Sequence, residues 1–242
     1  MYSYSLRVSY DGTEFTGWQI QANARTVQGE LTSALSKILS SRISVTGAGR
    51  TDTGVHSIGQ IASFLSPVKL SSYEFLYSVN SILPFSIAVS ELQEVESGFN
   101  ARFDAKSRVY YYFLSHAKDP FLHKYSWFRL VRPDITKLNL MSRELFGSHD
   151  FSSFTKHAGE VDNLICTVKS IKWIGRRKLT YVRIEADRFL HGMVRAMVGT
   201  LIRYWDHPDN SEIIKNILLS CDRKEASESA PAKGLFLYKI NY

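Results

Sequence analysis

The stretch ISVTGAGRTDTGVHSIGQIASFL, Ile43 to Leu65, decides how the chain folds. An apolar run, Ile43 to Val45, enters it and an alternating run, Ile58 to Leu65, leaves it, so it reads as two strands joined by a glycine-rich loop. Gly47, Gly49 and Gly54 free the loop backbone for tight reversals and leave room for a ligand to come close. A loop set on a rigid base of strands is a common place for function, and a lone carboxylate, Asp52, sits in this one near Arg50. By itself the loop reads equally as an ordinary connection with a solvated ion pair.

Working outward, Tyr2 to Tyr10 alternates as a strand, and a polar connection through Asp11, Gly12 and Gly17 follows. Val27, Leu31, Ala34, Leu35 and Ile38 recur at helical spacing until the polar run Ser40 to Arg42. Beyond the central pair of strands, Ser71 with Glu74 predicts a capping box, opening a helix that carries Phe75, Leu76, Val79 and Leu83 and stops at Pro84. A strand from Ile87 to Val95 completes the order strand, helix, strand, strand, helix, strand, which is the split βαβ or ferredoxin-like arrangement.

The second half repeats that order with insertions. Arg108 to Leu114 reads as a strand, Ile135 to Phe146 as a helix capped by Asp134, and Val168 to Trp173 with Leu179 to Ala186 as a hairpin turning at Gly175 to Lys178. Helices over Leu190 to Tyr204 and Glu212 to Leu219, an exposed loop over Glu225 to Lys233, and a last strand from Leu235 to Ile240 follow. The expected fold is α+β. Two ferredoxin-like halves, 1–97 with the glycine-rich loop and 98–242 with the insertions, join into one mixed, mainly antiparallel sheet with helices on one side and a central cleft.

A chain of 242 residues that is 44% hydrophobic can bury a substantial core. Its net charge of +7 and pI of about 9.3 favour a polyanionic partner. Arg102, Lys106 and Arg108 run into Tyr110, Tyr111 and Tyr112, and Arg129 and Arg132 follow Tyr125, Trp127 and Phe128. Rings that stack on bases beside cations that hold phosphates suit looped RNA; the same pattern equally describes a sheet with an aromatic core and basic outer faces. No uncharged span is long enough for a bilayer. The amino terminus, MYSYSLRVSYDG, lacks the layout of a signal peptide, so a cytoplasmic protein is expected. Cys166 and Cys221 match no CxxC pattern and read as buried or idle thiols.

Asp52 has no carboxylate partner close in sequence, since Glu30 lies on the first helix and Asp11 in another loop. That argues against a glycosidase built on two carboxylates. A buried aspartate held by a guanidinium stays ionised and can attack, or support, a carbon that becomes electron-poor. The anomeric carbon of a nucleotide is such a centre, and breaking and remaking a bond there needs neither metal nor redox cofactor. His56 reads as an orienting hydrogen-bonder, and His149 and Asp150 as a turn that fixes Phe151 and Phe154 in the core. The segment Gly47 to Arg50 is followed by no Gly-Lys-Ser or Gly-Lys-Thr, which argues against a phosphate loop. Phe189, Leu190, Met193 and Val194 read as core, leaving Arg195 one turn into its helix with Arg188 before it.

Taken together, the motifs resemble the tRNA pseudouridine synthase A family along nearly the whole chain. Tyr10 to Gln19, Thr26 to Glu30 and the loop Gly47 to His56 match family blocks, as do Asn80 to Pro84, Phe99 to Phe103, Arg108 to Tyr110, Gly147 to Phe154, Phe189 to Arg195 and Ala230 to Leu235. Ser57 departs from the Ala of many members. The resemblance implies isomerisation of uridine to pseudouridine at positions 38–40 of the tRNA anticodon arm. It makes Asp52 the nucleophilic aspartate, Arg50 a residue holding the flipped-out target, and Tyr110 the ring packed on the uracil. It also makes Arg195 the partner of the aspartate and Leu235 a pocket wall. It further implies a homodimer, no cofactor, no metal and no membrane. A binding module that keeps the fold without the activity, and a nucleoside hydrolase, are the competing readings.

Overall fold

A computed structural model describes residues 1–156, 159 and 162–242. Two compact units divide the chain, Met1–Lys106 with Leu237–Tyr242, and Ser107–Phe236. Residues 98–106 are grouped with the first of these units. Ala101 N donates to Ser63 Oγ, Lys106 N to Asn241 O, and Tyr242 Oη to Ala101 O.

The first unit has the order β1 (Tyr2–Tyr10), α1 (Val27–Ile38), β2 (Val45–Gly47), β3 (His56–Ser66), α2 (Ser72–Ile82) and β4 (Ile87–Glu94). Its strands lie β4-β1-β3, with β2 on the far side of β3; β1 pairs antiparallel with β3 and β4, and β2 with β3, which is the split βαβ order. Alternation does what it should in β1, where Tyr4, Leu6, Val8 and Tyr10 are all buried. Val27, Leu31, Ala34 and Leu35 of α1 join the same core, and the Tyr4, Phe64 and Phe75 rings stack through it at 5.9 and 6.0 Å. Each fully buried aliphatic side chain here stabilises the unit by roughly 1.5–3 kcal/mol relative to exposure. Helix α1 starts where Thr26 accepts from Gly29 N. Helix α2 begins after Ser71, as the spacing predicts, but the Ser71 side chain makes no cap hydrogen bond; the expected capping box is replaced by tertiary packing of Phe75 and Val79.

The second unit runs β5 (Ser107–Ser115), β6 (Trp127–Phe128), α3 (Ile135–Met141), β7 (Gly147–Asp150), β8 (Ile165–Gly175), β9 (Leu179–Ala186), α4 (Met193–Tyr204) and α5 (Asn210–Ser220). Its strands lie β5-β9-β8-β7, repeating the inner order of the first unit, and the short β6 pairs with β5 in parallel, so the strand set is mixed and mainly antiparallel. Asp134 caps α3 through Thr136 N and Lys137 N. The α-helix ends at Met141 and a 3-10 turn, Ser142–Leu145, covers the remainder of the predicted span. The predicted helix from Leu190 starts later, at Met193, because Gly192 at φ 71° cannot continue a right-handed turn. Phe151, Phe154, Leu190, Met193 and Val194 are core residues as expected, and Phe189 is half-buried.

The segment Glu225 to Lys233 is not simply exposed. Ala226 and Ala230 are buried, and Ala230 N donates to Arg195 O. A Cβ on Gly199 of α4 would lie 2.0 Å from Glu228 O, so the glycine is what lets this segment lie on the helix. The last strand, β10 (Leu235–Asn241), begins with Leu235 and Phe236 in the second unit and ends in the first, where it lies beside β3. Among the described residues, no helix is long and apolar enough to cross a membrane.

Candidate active site

In the first unit the loop between β2 and β3 is gripped by the segment that follows β1. Trp18 N donates to Thr51 O at 3.1 Å and Gly54 N to Phe15 O at 3.4 Å. Gly17 has φ 79°, and a Cβ there would lie 2.4 Å from Thr51 O. At the far end, His56 is buried with Nδ1 3.1 Å from both Gly12 N and Asp11 Oδ1, the orienting role its position suggested. Within the loop, Gly54 at φ 76° allows Val55 N to turn back to Asp52 O at 3.1 Å. The outcome is a half-buried Asp52 on a backbone fixed before and after it.

Arg50 is exposed, and its Nε donates to Gln19 Oε1 at 3.1 Å. Within the first unit the Arg50 side chain is thus held by Gln19. Next to Gln19 in the chain, Trp18 O accepts from Gln28 N at 3.0 Å, and Arg25, over the Phe15 ring, pairs with Glu14 and Glu30.

In the second unit Tyr110 of β5 is buried, and its ring meets Phe189 edge-on at 5.2 Å. Arg195, in the first turn of α4, is half-buried and donates Nε to Ala230 O at 2.8 Å. Its charge is felt at Tyr112: burial raises that phenol far above the usual range, and Arg195 opposes the rise. Tyr112 Oη donates to Pro231 O at 2.9 Å, next to the 3-10 turn Ala232–Gly234 that delivers the buried Leu235 into β10. Tyr110, Arg195 and Leu235 thus belong to one unit, and Asp52 and Arg50 to the other.

The aromatic runs divide by strand alternation. Tyr110 and Tyr112 are core, whereas Tyr111 and Phe113 lie part-exposed beside Tyr181. Exposed guanidinium groups cover rings at Arg102 over Phe103, 5.2 Å, and at Arg129 over Trp127, 4.9 Å. Sequence reasoning gave no role to Tyr10, Gln19, Thr51 or Gln60, which hold the loop. The available signal was a glutamine in β3 at a buried position, where alternation predicts an apolar side chain.

A sequence model described as tRNA pseudouridine synthase matches residues 7–104 and 141–242. The chain is 42% identical to the tRNA pseudouridine synthase A of Thermosipho melanesiensis over 99% of both proteins. It is 40% identical to the enzymes of that name from Fervidobacterium nodosum, over 98% of both, and Thermosipho africanus, over 99% of both. The α+β fold and these matches define the class: an isomerase that acts on RNA. More particularly, the chain belongs to the tRNA pseudouridine synthase family.

Proposed function

We propose that the chain converts uridine to pseudouridine at positions 38–40 of the tRNA anticodon stem-loop, with Asp52 as the catalytic residue. The observation that carries this reading is the half-buried carboxylate on a loop fixed on both sides, inside the GAGRTDTGVH block of a family member. The target uridine leaves its stack, at a cost of a few kcal/mol that contacts to Tyr110 and Arg50 offset. Asp52 acts at the sugar, the bond from N1 to C1′ breaks, and the uracil turns while held. C5 then bonds to C1′, the C5 proton departs, and N1 takes up a proton, so atoms balance without a redox partner. Arg195 supports the carboxylate, and Leu235 walls the pocket against water, whose capture would leave an abasic site.

The lack of a second carboxylate close to Asp52 in sequence speaks against the hydrolase reading, and the retained Asp52, Arg50, Tyr110 and Arg195 speak against a binding module without activity. The same reading makes the protein a cytoplasmic homodimer that engages one tRNA across two copies. Replacing Asp52 by Asn is expected to lower pseudouridine formation by at least about a thousandfold while tRNA affinity holds within about twofold. Mapping pseudouridine in unmodified tRNA reads this directly. Turnover by the Asp52→Asn protein near that of the parent would end the assignment.

A further inference from the structure

We propose that Tyr10 and Gln60 are positioning residues for the reaction, holding the Asp52 loop from below through Thr51 and Gly49. This deepens the proposed function and rests on Asp52 being catalytic.

Three observations meet here. Tyr10 Oη and Thr51 Oγ1 are 2.8 Å apart, and both residues are buried. Gln60, with 0% of its surface exposed, donates Nε2 to Gly49 O at 2.7 Å. The loop is therefore pinned at Gly49 and Thr51, on either side of Arg50, and Thr51 is the residue directly before Asp52. Finally, the register of β1 against β3 slips at this point, pairing Val8 with Gln60 but Tyr10 with Ser57, so three steps along β3 face two along β1. Such irregularities re-aim side chains, and this one falls at the two residues that bond to the loop.

The polar character of the pair is informative. A buried phenol and a buried carboxamide each cost about 1–3 kcal/mol when a partner is missing, and an apolar pair of similar size would fill the same space without that risk. What the apolar pair cannot do is fix a hydroxyl and a carbonyl of the loop at set distances. Ser57 extends the network, accepting from Gln60 N at 2.9 Å and donating to Leu237 O at 3.2 Å, which ties the platform to β10. Burial raises the Tyr10 phenol far above its usual range, so it keeps its proton at neutral pH. A carboxylate that must meet one sugar carbon is sensitive to small displacements; about 1 Å can cost roughly a hundredfold in rate.

The test uses the full chain with Tyr10→Phe, Gln60→Leu, Thr51→Val and Thr51→Ser, and Asp52→Asn as control. Single-turnover pseudouridine formation at saturating tRNA, tRNA affinity and thermal unfolding are measured on each. The first three are expected to lose roughly tenfold to a hundredfold in the saturated rate, with affinity kept and the proteins folded at the assay temperature. Thr51→Ser, which keeps the hydroxyl, restores most of the rate. Folded variants that turn over at the parental rate, or that lose affinity alone, overturn the proposal. Should Tyr10→Phe or Gln60→Leu not fold, the Thr51 pair decides. An active Asp52→Asn protein would instead sink the proposed function; an inactive one beside a fully active Tyr10→Phe protein sinks only the positioning role.

Discussion

At the residue scale, the same burial that keeps Tyr10 neutral separates the two cysteines. Burial pushes the Cys166 thiol up to about 12, and nothing of its surface is exposed, whereas Cys221 is exposed just beyond α5. Only a thiolate attacks a disulfide reagent, and for Cys166 the thiol form persists through neutral and mildly alkaline pH. One thiol per chain should therefore react with an aromatic disulfide near pH 8 in the native protein, and two in denaturant. Two fast thiols without denaturant would contradict the burial. The loop that carries Asp52 was legible from sequence, because glycines between two apolar runs mark a connection between strands. The lodging of Arg50 on Gln19 was not, because a contact between residues 31 positions apart depends on how two loops meet.

At the element scale, hydrophobic period located the strands and helices, and local backbone chemistry set their ends. Alternation gave β1 its span from Tyr2 to Tyr10, and helical spacing gave α1 its span from Val27 to Ile38. Helix α4 begins later than its apolar pattern suggests, since the pattern reads burial, and Leu190 is buried without being helical. Caps show the same division. Asp134 makes its predicted hydrogen bonds, while Ser71 occupies the predicted position and makes none. Asp134→Ala is expected to destabilise the second unit by about 1 kcal/mol, and Ser71→Ala by much less. Urea unfolding of the two variants checks the contrast, which fails if Ser71→Ala costs as much as Asp134→Ala.

At the scale of the whole molecule, the repeated split βαβ order was legible from the sequence of elements, but the membership of each unit was not. Residues 98–106 and 237–242 are assigned by hydrogen bonds such as Lys106 N to Asn241 O, which no local pattern announces. The proposed homodimer carries its own prediction: light scattering should give twice 27.6 kDa at micromolar concentration, and a mass near 27.6 kDa would count against it. The late return of the chain to its first unit also bears on synthesis. Leu237 O meets Ser57, and Tyr238 O lies so close to Gly59 that a Cβ there would be 2.1 Å away, yet both partners leave the ribosome only after all of the second unit has been translated. The unit that carries the Asp52 loop is thus begun before the second unit and completed after it. During that interval, the flank of β3 that β10 will occupy is a nascent sheet edge, open to whatever strand arrives first.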